Sequence, residues 1–352
     1  MSFAQYMDIA LYDESFGFYA TTGRAGRRGD FLTSPEVGPL FGALLARRLD
    51  EEWFALGSPE VFVVVECGAG PGTLARSIAF AAPECASALR YVMVERSAEQ
   101  RALHAVHLDG WMGDLDAGGL NTFMRVAGPG PRFSSSPIAP YGVTGVVLAN
   151  ELLDNLAFDI VRHDGSGNFE RLDVHHAEDG LEFEVVPAEV PIALVSVLSQ
   201  AAAGEWMPLH EHAVQWLAAA IDRVECGVVI VIDYGATTAE IAARSEMGWL
   251  RTFADQERGG HPLDAPGAWD ITTDVAVDQL ATVMEPTVLT TQREFLKRLG
   301  IDQLVEEGRR IWIEHASAPD VAALRARSRI GEAEALLEPS GLGDFVVLEW
   351  RK

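Results

Sequence analysis

The chain has 352 residues, 48% of them hydrophobic, which is enough for one large α/β domain with additions or for two domains that share a cleft. Its formal net charge is −25, from 27 basic and 52 acidic residues. This charge argues against nucleic acid and anionic membrane surfaces as partners, and it suits a cationic ligand or a basic protein substrate.

Cysteine usage and the N-terminal residues bear on cellular location. The three cysteines cannot all pair and have no metal-ligand spacing, which fits a reducing cytoplasm. The opening residues MSFAQYMDIALYDES contain no basic segment and no long apolar one, and the longest apolar runs are too short to span a bilayer. We therefore expect a cytoplasmic protein with no membrane insertion.

The first predicted elements are two helices separated by a long loop. Residues 3–12 predict a short helix. The glycine-rich, aromatic stretch at 15–36 is too long for a bare connection, so we expect it to have a function or to be disordered. A helical period follows in SPEVGPLFGALLARRLDEEWFAL, for which Ser34 is a suitable N-cap and Pro35 suits the first helical position.

From residue 61 onward, apolar strands and helices alternate. The predicted strands are VFVVVEC, LRYVMVER and TGVVLAN, and the predicted helices are GTLARSIAFAA and AEQRALHAVH. Residues 119–142, rich in Gly, Pro and Ser, predict an insertion or a loose loop. Buried strands that alternate with helices predict a parallel sheet with helices on both faces.

The second half of the chain extends this α/β pattern. A hairpin is predicted at 157–176, turned by DGSGN, and helical segments follow around 192–224. CGVVIVIDYG predicts a strand, two further helical segments follow, and GDFVVLEW predicts a last strand. We expect an α/β fold with one open sheet built from residues near 60–160 and 226–352.

The turn after the first strand of this sheet has the most informative motif. Glu66 precedes Gly68, Gly70 and Gly72 in the pattern E-x-G-x-G-x-G, between a strand and a helix. Glycine permits positive φ and removes the Cβ, so the backbone can approach a ligand at the carboxyl edge of the sheet. A dinucleotide site would use G-x-G-x-x-G, whereas here Thr73 stands at the third glycine position.

The charge beside these glycines selects a class of ligand. Glu66 would repel a pyrophosphate, but it suits S-adenosylmethionine, which is cationic and has no phosphate. Glu95 ends the next strand 23 residues after Gly72, where an acid can accept both ribose hydroxyls. The sequence therefore predicts S-adenosylmethionine as the cofactor and disfavours a nicotinamide dinucleotide. The alternative is a structural glycine turn with an accidental acid.

Other residues are candidates for the same cofactor site. Asp114 could reach the adenine amine from the third strand end, or it could be an ordinary turn residue. The loop that holds Gly29, Asp30 and Thr33 could fold over the cofactor as a lid, or the segment could be only a helix start. Arg96, Leu115 and Asn150 are further candidate cofactor-binding residues.

The chain resembles the MidA family of methyltransferases over almost its whole length. The motifs that support the resemblance are, in the family's order, SFAQYMDIALYDESFGFY, GDFLTSPEVGPLFG, VECGAGPGTLARSI, NELLDNLAFD, VIDYG, PGAWDITTDV and TTQREFLKRLGI. The resemblance implies a class I methyltransferase fold, with a Rossmann-like sheet and extra helices. It also implies methylation of an arginine on a respiratory-complex subunit.

Some positions depart from the family's pattern. Leu152, Leu153 and Ala157 stand where the family has aromatic residues and a proline. Asn155 replaces a small residue, and Phe253 stands where a tyrosine is usual. These changes preserve the charged positions and alter the wall of the cleft, so they bear on the substrate more than on the cofactor.

Two acids that follow the strand TGVVLAN are the candidate catalytic residues. An arginine is protonated at neutral pH, and carboxylates that bind it bidentately fix its plane and localise its charge. With the resemblance, Glu151 is assigned to hold the guanidinium, and Asp154 is the second acid or a positioning residue. The alternative is that Asp154 caps a helix and Glu151 binds backbone.

The remaining polar residues have weaker assignments. The segments at 233–235 and 270–272 are predicted to line the cleft, with turn or cap chemistry as the alternative. His104 and His107 share a helical face, but no cysteine or carboxylate set accompanies them. We therefore expect packed or solvated histidines and no metal site.

The predicted organisation has three parts. These are an N-terminal helical segment with the lid loop at 1–58, a Rossmann-like cofactor-binding core at 59–157 and 226–352, and an inserted hairpin with helices at 158–225. We expect a protein substrate that presents an arginine and no nucleic-acid partner. The oligomeric state is left open, with a dimer as one option. A small-molecule N- or O-methyltransferase and a cofactor-binding assembly factor without turnover are the alternative functions.

Overall fold

Helices and strands alternate along most of the chain. The computed structural model describes residues 1–21, 33–113, 119–178, 180–254 and 257–352. The α-helices in these ranges are α1 Phe3–Tyr12, α2 Phe18–Thr21, α3 Ser34–Val37, α4 Pro39–Ala55, α5 Thr73–Ala81, α6 Ala98–His107, α7 Gly119–Arg125, α8 Ile192–Leu198, α9 Glu211–Arg223, α10 Thr238–Ala242, α11 Val277–Ala281, α12 Gln292–Arg298, α13 Ile301–His315 and α14 Val321–Leu336. The strands are β1 Phe62–Cys67, β2 Leu89–Val94, β3 Arg132–Ser136, β4 Val143–Asn150, β5 Asp159–His163, β6 Phe169–Ala177, β7 Gly180–Ala188, β8 Met207–Leu209, β9 Val224–Asp233, β10 Gly235–Ala236, β11 Arg251–Ala254, β12 Glu257–Arg258, β13 Asp270–Thr272, β14 Val275–Ala276, β15 Val288–Thr291 and β16 Val346–Arg351. Short 3-10 turns lie at Glu84–Ser87, Leu153–Asn155, Ser245–Met247 and Leu342–Asp344.

The described residues divide into two compact units. The sheet unit takes its residues from 32–150, 221–232 and 287–352, and the acid unit takes its residues from 1–31, 151–220 and 233–286. This division differs from the boundaries expected from the sequence. Helix α4 groups with the sheet unit because it packs on α5 and β4, and the segment 233–286 groups with the hairpin of β5 and β6.

A seven-stranded sheet forms the centre of the sheet unit. Its strand order is β15-β16-β9-β4-β1-β2-β3. Strands β3, β2, β1, β4 and β9 are parallel, and β15 pairs antiparallel with β16. The order reverses between β1 and β4, and open α/β sheets hold ligands outside the carboxyl ends of the strands at such a point. The predicted α/β fold is confirmed.

The central strands have the composition that burial on both faces requires. Every residue of β1 is buried, and alternating side chains such as those of Phe62 and Val64 join the core formed with α4 and α5. Apolar residues fill both faces of a parallel strand because helices or other elements cover both faces. The apolar run VFVVVEC thus becomes a central strand rather than an edge strand.

Two predictions for this unit are wrong in detail. Residues 119–142 do not form a loose loop, because they contain helix α7 and the edge strand β3, which pairs in parallel with β2. Strand β3 has the sequence RFSSS, with a single large apolar residue, so hydrophobic patterning gave no strand signal. Ser34 is not the N-cap of its helix; Thr33 occupies that position, and the Ser34 hydroxyl donates a hydrogen bond to Gln292 instead.

The predicted helix after residue 34 is divided in two by a Gly-Pro pair. Helix α3 ends at Val37 and α4 begins at Pro39, because the residue before a proline is disfavoured in the α region. Glu332 of α14 caps α4 from outside, since its Oε2 accepts a hydrogen bond of 2.9 Å from the Leu40 amide. A carboxylate at a helix N-terminus satisfies an amide that has no partner inside the helix.

The acid unit has small antiparallel sheets and a two-stranded parallel one. A four-stranded sheet has the order β7-β6-β5-β8, a three-stranded sheet the order β12-β11-β13, and β10 pairs with β14. The hairpin predicted at 157–176 is confirmed, since β5 and β6 pair antiparallel across the turn at 164–168. Helix α1 packs against this unit through Phe3, Met7 and Leu11, all of which are fully buried.

The described ranges contain neither a candidate membrane-spanning helix nor a candidate metal site. None of the helices within them is both long enough and apolar enough to cross a bilayer. Within the same ranges, no group of three or more His, Cys, Asp and Glu side chains is arranged to hold a metal ion.

A pair of facing glycines allows strands β4 and β9 to lie close together, and a substitution at one of them tests this close contact. Gly145 lies opposite Gly227 in the register of β4 and β9, and a Cβ on Gly227 would overlap the carbonyl oxygen of Gly145. Gly227 also has φ of 143°. We expect Gly227→Ala to lower the free energy of unfolding by at least about 2 kcal/mol in urea titrations.

Gly180→Ala is the matched control for this substitution. Gly180 has φ of 140°, but a Cβ there meets no atom within 4 Å. We expect a loss of about 1 kcal/mol from backbone strain alone. Equal losses for the two variants would contradict the steric account of the strand contact.

Candidate active site

Two groups of residues, one in each unit, have the properties of a functional site. The first is the glycine turn between β1 and α5 in the sheet unit. Gly68, Gly70 and Gly72 all have positive φ, at 70°, 52° and 85°. A side chain at these positions would be strained, so the backbone path of this turn depends on glycine. The conformation predicted from the E-x-G-x-G-x-G pattern is therefore present.

Glu66 lies beneath this turn as a buried acid. It is 4% exposed, and the hydroxyl of Tyr91 on β2 donates to its Oε2 at 2.9 Å. Burial raises the pKa of Glu66 to about 8; the Tyr91 hydroxyl opposes this rise, and the charge of Glu95 adds to it. In the absence of a nearby cation, Glu66 therefore holds a proton at neutral pH. A cationic group placed beside it would favour the carboxylate.

Glu95 and His104 brace the glycine turn. Glu95 Oε2 accepts from the Gly70 amide at 2.9 Å, and Oε1 accepts from the Ser97 amide at 2.8 Å. His104, on α6, is fully buried, with Nε2 2.7 Å from the Gly70 carbonyl oxygen and Nδ1 2.8 Å from the Ser135 hydroxyl. The carbonyl can only accept, so Nε2 carries the proton. Burial lowers the pKa of His104, which favours this neutral form.

The role of His104 was missed in the sequence. Its helical position and its spacing from His107 suggested packing or metal binding, whereas it fixes the peptide of Gly70 from both sides together with Glu95. No local pattern could have indicated this, because His104 and Gly70 are 34 positions apart.

The other residues predicted to bind cofactor are placed as follows. Thr73 is the first residue of α5, and its hydroxyl donates to Glu36 at 2.6 Å. Asn150, the last residue of β4, is 9% exposed, while Arg96 is exposed beside Glu95. Thr33 is the N-cap of α3. Gly29, Asp30, Asp114 and Leu115 lie outside the described residues.

The second group lies in the acid unit and begins immediately after β4. Glu151 has φ of 52°, a left-handed conformation that is uncommon for a residue with a side chain. The 3-10 turn Leu153–Asn155 follows, and its three leading amides, those of residues 152–154, all donate to Asp233 Oδ2 at 2.8–3.3 Å. Asp233, the fully buried last residue of β9, therefore anchors this acidic turn.

Asp154 does not cap this turn. Its Oδ2 accepts from the Thr272 hydroxyl at 2.7 Å, and it is 6% exposed. Its Oδ1 is buried and has no hydrogen-bond partner among the described residues. Burial raises the pKa of Asp154 to about 6, while the Thr272 hydroxyl and Arg251 act in the opposite direction. The helix-cap alternative for Asp154 is therefore excluded by this geometry.

Asp270 and Thr272, two positions apart on strand β13, form hydrogen bonds with residues in and around the acidic turn. Side chains two positions apart on a strand project to the same face. Asp270 accepts from the Tyr19 hydroxyl and the Asn155 amide, both at 2.9 Å, and Thr272 donates to Asp154. Asp270 and Thr272 therefore make local polar contacts around the acidic turn, and the role of 270–272 in lining a cleft stays a prediction.

Aromatic side chains accompany the acids. Tyr12 stacks on Tyr19 with ring centroids 5.4 Å apart. Tyr234 follows Asp233, is 36% exposed, and has its pKa raised by burial and by the charges of Glu151 and Asp154. Carboxylates and aromatic faces are the two groups that bind a planar cation such as guanidinium.

The fold and the glycine turn define a class I methyltransferase, a class of enzyme that uses S-adenosylmethionine. The family described as "Putative S-adenosyl-L-methionine-dependent methyltransferase" matches residues 44–295, more than half of the chain. The chain belongs to this family. It is an S-adenosylmethionine-dependent methyltransferase, as predicted from the sequence.

Individual relatives and solved structures agree with this assignment. The chain is 26% identical to protein arginine methyltransferase NDUFAF7, mitochondrial, from Mus musculus, over 97% of this chain and 78% of that protein. It is 28% identical to the Danio rerio protein of the same name, over 87% and 74%. A protein from Burkholderia thailandensis, solved with S-adenosyl-homocysteine bound, shares the fold with a TM-score of 0.80 at 24% identity, over 100% of this chain and 88% of that one.

These comparisons correct the predicted location. The sequence favoured the cytoplasm from its cysteines and N-terminal residues, but the curated relatives are mitochondrial proteins. Cysteine usage reports a reducing environment, and it does not distinguish one reducing compartment from another.

Glu66 provides a test of the cofactor site. Because its pKa is about 8, the ligand-free protein holds a proton at Glu66 near pH 7, and a cationic ligand should displace it. Calorimetric titration of S-adenosylmethionine at pH 7, in two buffers of different ionisation enthalpy, should detect release approaching about one proton per protein.

Two variants separate this effect from other proton exchange. Glu66→Gln should abolish the release, and Tyr91→Phe should preserve it, since losing the hydroxyl donor raises the pKa of Glu66 further. Unchanged proton release in Glu66→Gln would mean that another group titrates.

Asp154 provides a test through stability. An acid whose pKa is raised in the folded state binds more protons folded than unfolded, so its contribution to stability falls as pH rises from about 4 to 6. The stability difference between Asp154→Asn and the natural protein should therefore grow in favour of the variant by about 2 to 3 kcal/mol over this window. Urea titrations at half-unit pH steps measure it, and a difference independent of pH would contradict the raised pKa.

Proposed function

We propose that this methyltransferase transfers methyl groups to an arginine side chain of a protein. The observation that supports this most is the acidic turn after β4, where Glu151 and the buried Asp154 follow the sheet directly. The curated relatives that cover most of the chain are named protein arginine methyltransferases. The net charge of −25 suits a basic protein substrate.

The glycine turn and its neighbours are proposed to hold the cofactor. The peptides of Gly68 and Gly70 would lie against the ligand without Cβ obstruction, and Glu66 would balance its positive charge. Glu95 already accepts two amides, and the second lone pair of each carboxylate oxygen could accept a ribose hydroxyl. Thr73, Arg96 and Asn150 are proposed to complete the site, and the roles of Gly29, Asp30, Thr33, Asp114 and Leu115 stay predictions.

When bound, S-adenosylmethionine supplies an electrophilic methyl group on its sulfonium. The protein's task is then to orient and desolvate the nucleophile. Glu151 is proposed to hold two guanidinium N–H groups, because a bidentate carboxylate fixes the plane of the guanidinium. The left-handed conformation of Glu151 directs its side chain differently from a continuing strand, and such strain persists where the surroundings fix it.

Asp154 is proposed to complete the acid pair. Its buried Oδ1 can accept an N–H from the same guanidinium, whose protons must partly leave as the new C–N bond forms. With a pKa of about 6, Asp154 is a stronger base than an ordinary aspartate, and it can accept such a proton. The proton then passes to solvent when the product leaves.

Glu151→Gln tests the assignment directly. The amide keeps the size of the side chain but cannot stabilise a positive charge, so kcat for an arginine substrate should fall by about 10² to 10³. Affinity for S-adenosyl-homocysteine, measured by calorimetry, should stay within about twofold, because Glu66 and the glycines are unchanged. Glu182→Gln, at an exposed position of β7, is the control and should leave both quantities unchanged.

The substrate class is tested by labelled-methyl transfer into a cell lysate, followed by mass spectrometry. Label on arginine in a protein, lost in Glu151→Gln, supports the proposal. Label only in small molecules would replace it with a small-molecule methyltransferase. Cofactor binding without any transfer would indicate an assembly factor.

A further inference from the structure

Strand pairing places Arg251 beside the residue that holds Asp154. Arg251 of β11 lies directly opposite Thr272 of β13 in an antiparallel pair, and directly opposed residues project to the same face of a sheet. The Thr272 hydroxyl donates to Asp154 at 2.7 Å. The register of two short strands thus sets an arginine next to the carboxylate that Thr272 holds.

Two contacts fix the guanidinium of Arg251. Its Nη2 lies 2.6 Å from Asp274 Oδ1, and its central carbon lies 5.2 Å from the ring centroid of Tyr234. The Asp274 carboxylate is also ion-paired with Arg244. Two arginines share one carboxylate, so one positive charge is left over in this group. The side chain of Arg251 is only 19% exposed, and solvent therefore screens that charge weakly.

A positive charge close to Asp154 would favour the ionised form of this carboxyl group. A carboxyl group this deeply buried, with one oxygen that has no hydrogen-bond partner among the described residues, is pushed toward its protonated form. The protonated form presents a hydroxyl or a weak acceptor to an arriving guanidinium instead of a charged acceptor. A fixed cation on the neighbouring strand opposes this.

The charged and titratable groups around Asp154 come from several elements. They are Glu151 beside the 3-10 turn, Asp233 and Tyr234 at the end of β9, Asp270 and Asp274 on and after β13, Tyr19 of α2, Arg251 of β11, and, through Asp274, Arg244 and His210. Most of these groups are acidic. Arg251 carries a positive charge, and this charge lowers the pKa of Asp154.

We propose that Arg251 is a positioning residue that keeps Asp154 ionised and its Oδ1 ready to accept an N–H of a cationic substrate. Arg251 does not itself bind the substrate, because its guanidinium is held by Asp274 and Tyr234. The inference rests on the proposed function for the identity of the substrate. The electrostatic effect of Arg251 on Asp154 can be measured without any substrate.

The first experiment measures this effect in the substrate-free protein. Urea titrations at a series of pH values measure the free energy of unfolding of four proteins. The effect of Asp154→Asn is measured once in the natural protein and once in Arg251→Gln, where the double variant Arg251→Gln/Asp154→Asn supplies the comparison. In the natural background the stability difference should change from about pH 4 up to about pH 6, the pKa of Asp154 in the folded protein. In the Arg251→Gln background the upper end of this window should move up by about one pH unit. An upper end that stays in place would overturn the proposal.

Two controls distinguish charge from structure. Arg251→Lys keeps the charge and should keep the upper end of the window within a few tenths of a pH unit. Arg244→Gln removes the other ion pair of Asp274 but leaves Arg251 in place, so the upper end of its window should move much less than in Arg251→Gln. Arg251→Met keeps the stem over Tyr234 and serves if Arg251→Gln is too unstable. An equal shift in Arg244→Gln would assign the effect to Asp274 and overturn the proposal.

The second experiment measures the acid limb of kcat/KM for arginine-peptide methylation. Arg251→Gln should lose about threefold at pH 6.5 and recover most of this loss at pH 8.5, because the ionised fraction of Asp154 then differs little between the two proteins, whereas a structural defect would lower the rate equally at both. If the natural protein methylates no arginine, the proposed function fails while the unfolding cycle still decides the role of Arg251. A rate loss independent of pH would overturn that role.

Discussion

The acid unit depends on one contact, in which the buried carboxylate of Asp233 accepts three consecutive backbone amides. These are the amides of residues 152–154, at 2.8–3.3 Å, and a fourth bond comes from the Tyr234 amide to the other oxygen. Converging amides form an anion-binding concavity, and here the anion belongs to the protein itself. Burial and the charge of Asp154 raise the pKa of Asp233, and these amides oppose the rise. Since every contact donates to Asp233, the geometry suits its ionised form.

This anchor explains how the turn tolerates unusual residues. The amides come from the backbone, so they donate to Asp233 whatever side chains stand at 152 and 153, which are leucines here. The anchor also offsets the left-handed backbone of Glu151, because strain of this kind persists only where surrounding contacts fix the chain. One buried acid therefore sets the directions of two others. The side-chain amide of Asn155 donates to Asp270 and fixes the far end of the turn.

Local features of the structure were predictable from the sequence, and long-range ones were not. The glycine turn, Glu66, Glu95 and the alternation of strands and helices follow from short patterns, because each is decided by φ or burial within a few residues. The anchoring of the turn by Asp233 joins residues about 80 positions apart, and the bond from Thr272 to Asp154 joins residues 118 apart. Strand β3 was missed because an edge strand needs little apolar surface. The sequence named the acidic residues at 233 and 270 but could not say which group each one holds.

The two buried acids of the candidate sites, Glu66 and Asp154, differ in the kind of group that opposes the rise of their pKa. Glu66 has its pKa raised to about 8 by burial and by Glu95, and the group that opposes this is a neutral hydroxyl, that of Tyr91. Asp154 has its pKa raised only to about 6, and a full positive charge, that of Arg251, is among the groups that oppose the rise. A neutral donor lets a carboxyl stay protonated until a cation arrives, whereas a fixed cation holds it ionised beforehand. The first arrangement suits a cationic cofactor that brings its own charge. The second suits a group that must accept protons from a nucleophile during each turnover, because such a group has to start without one.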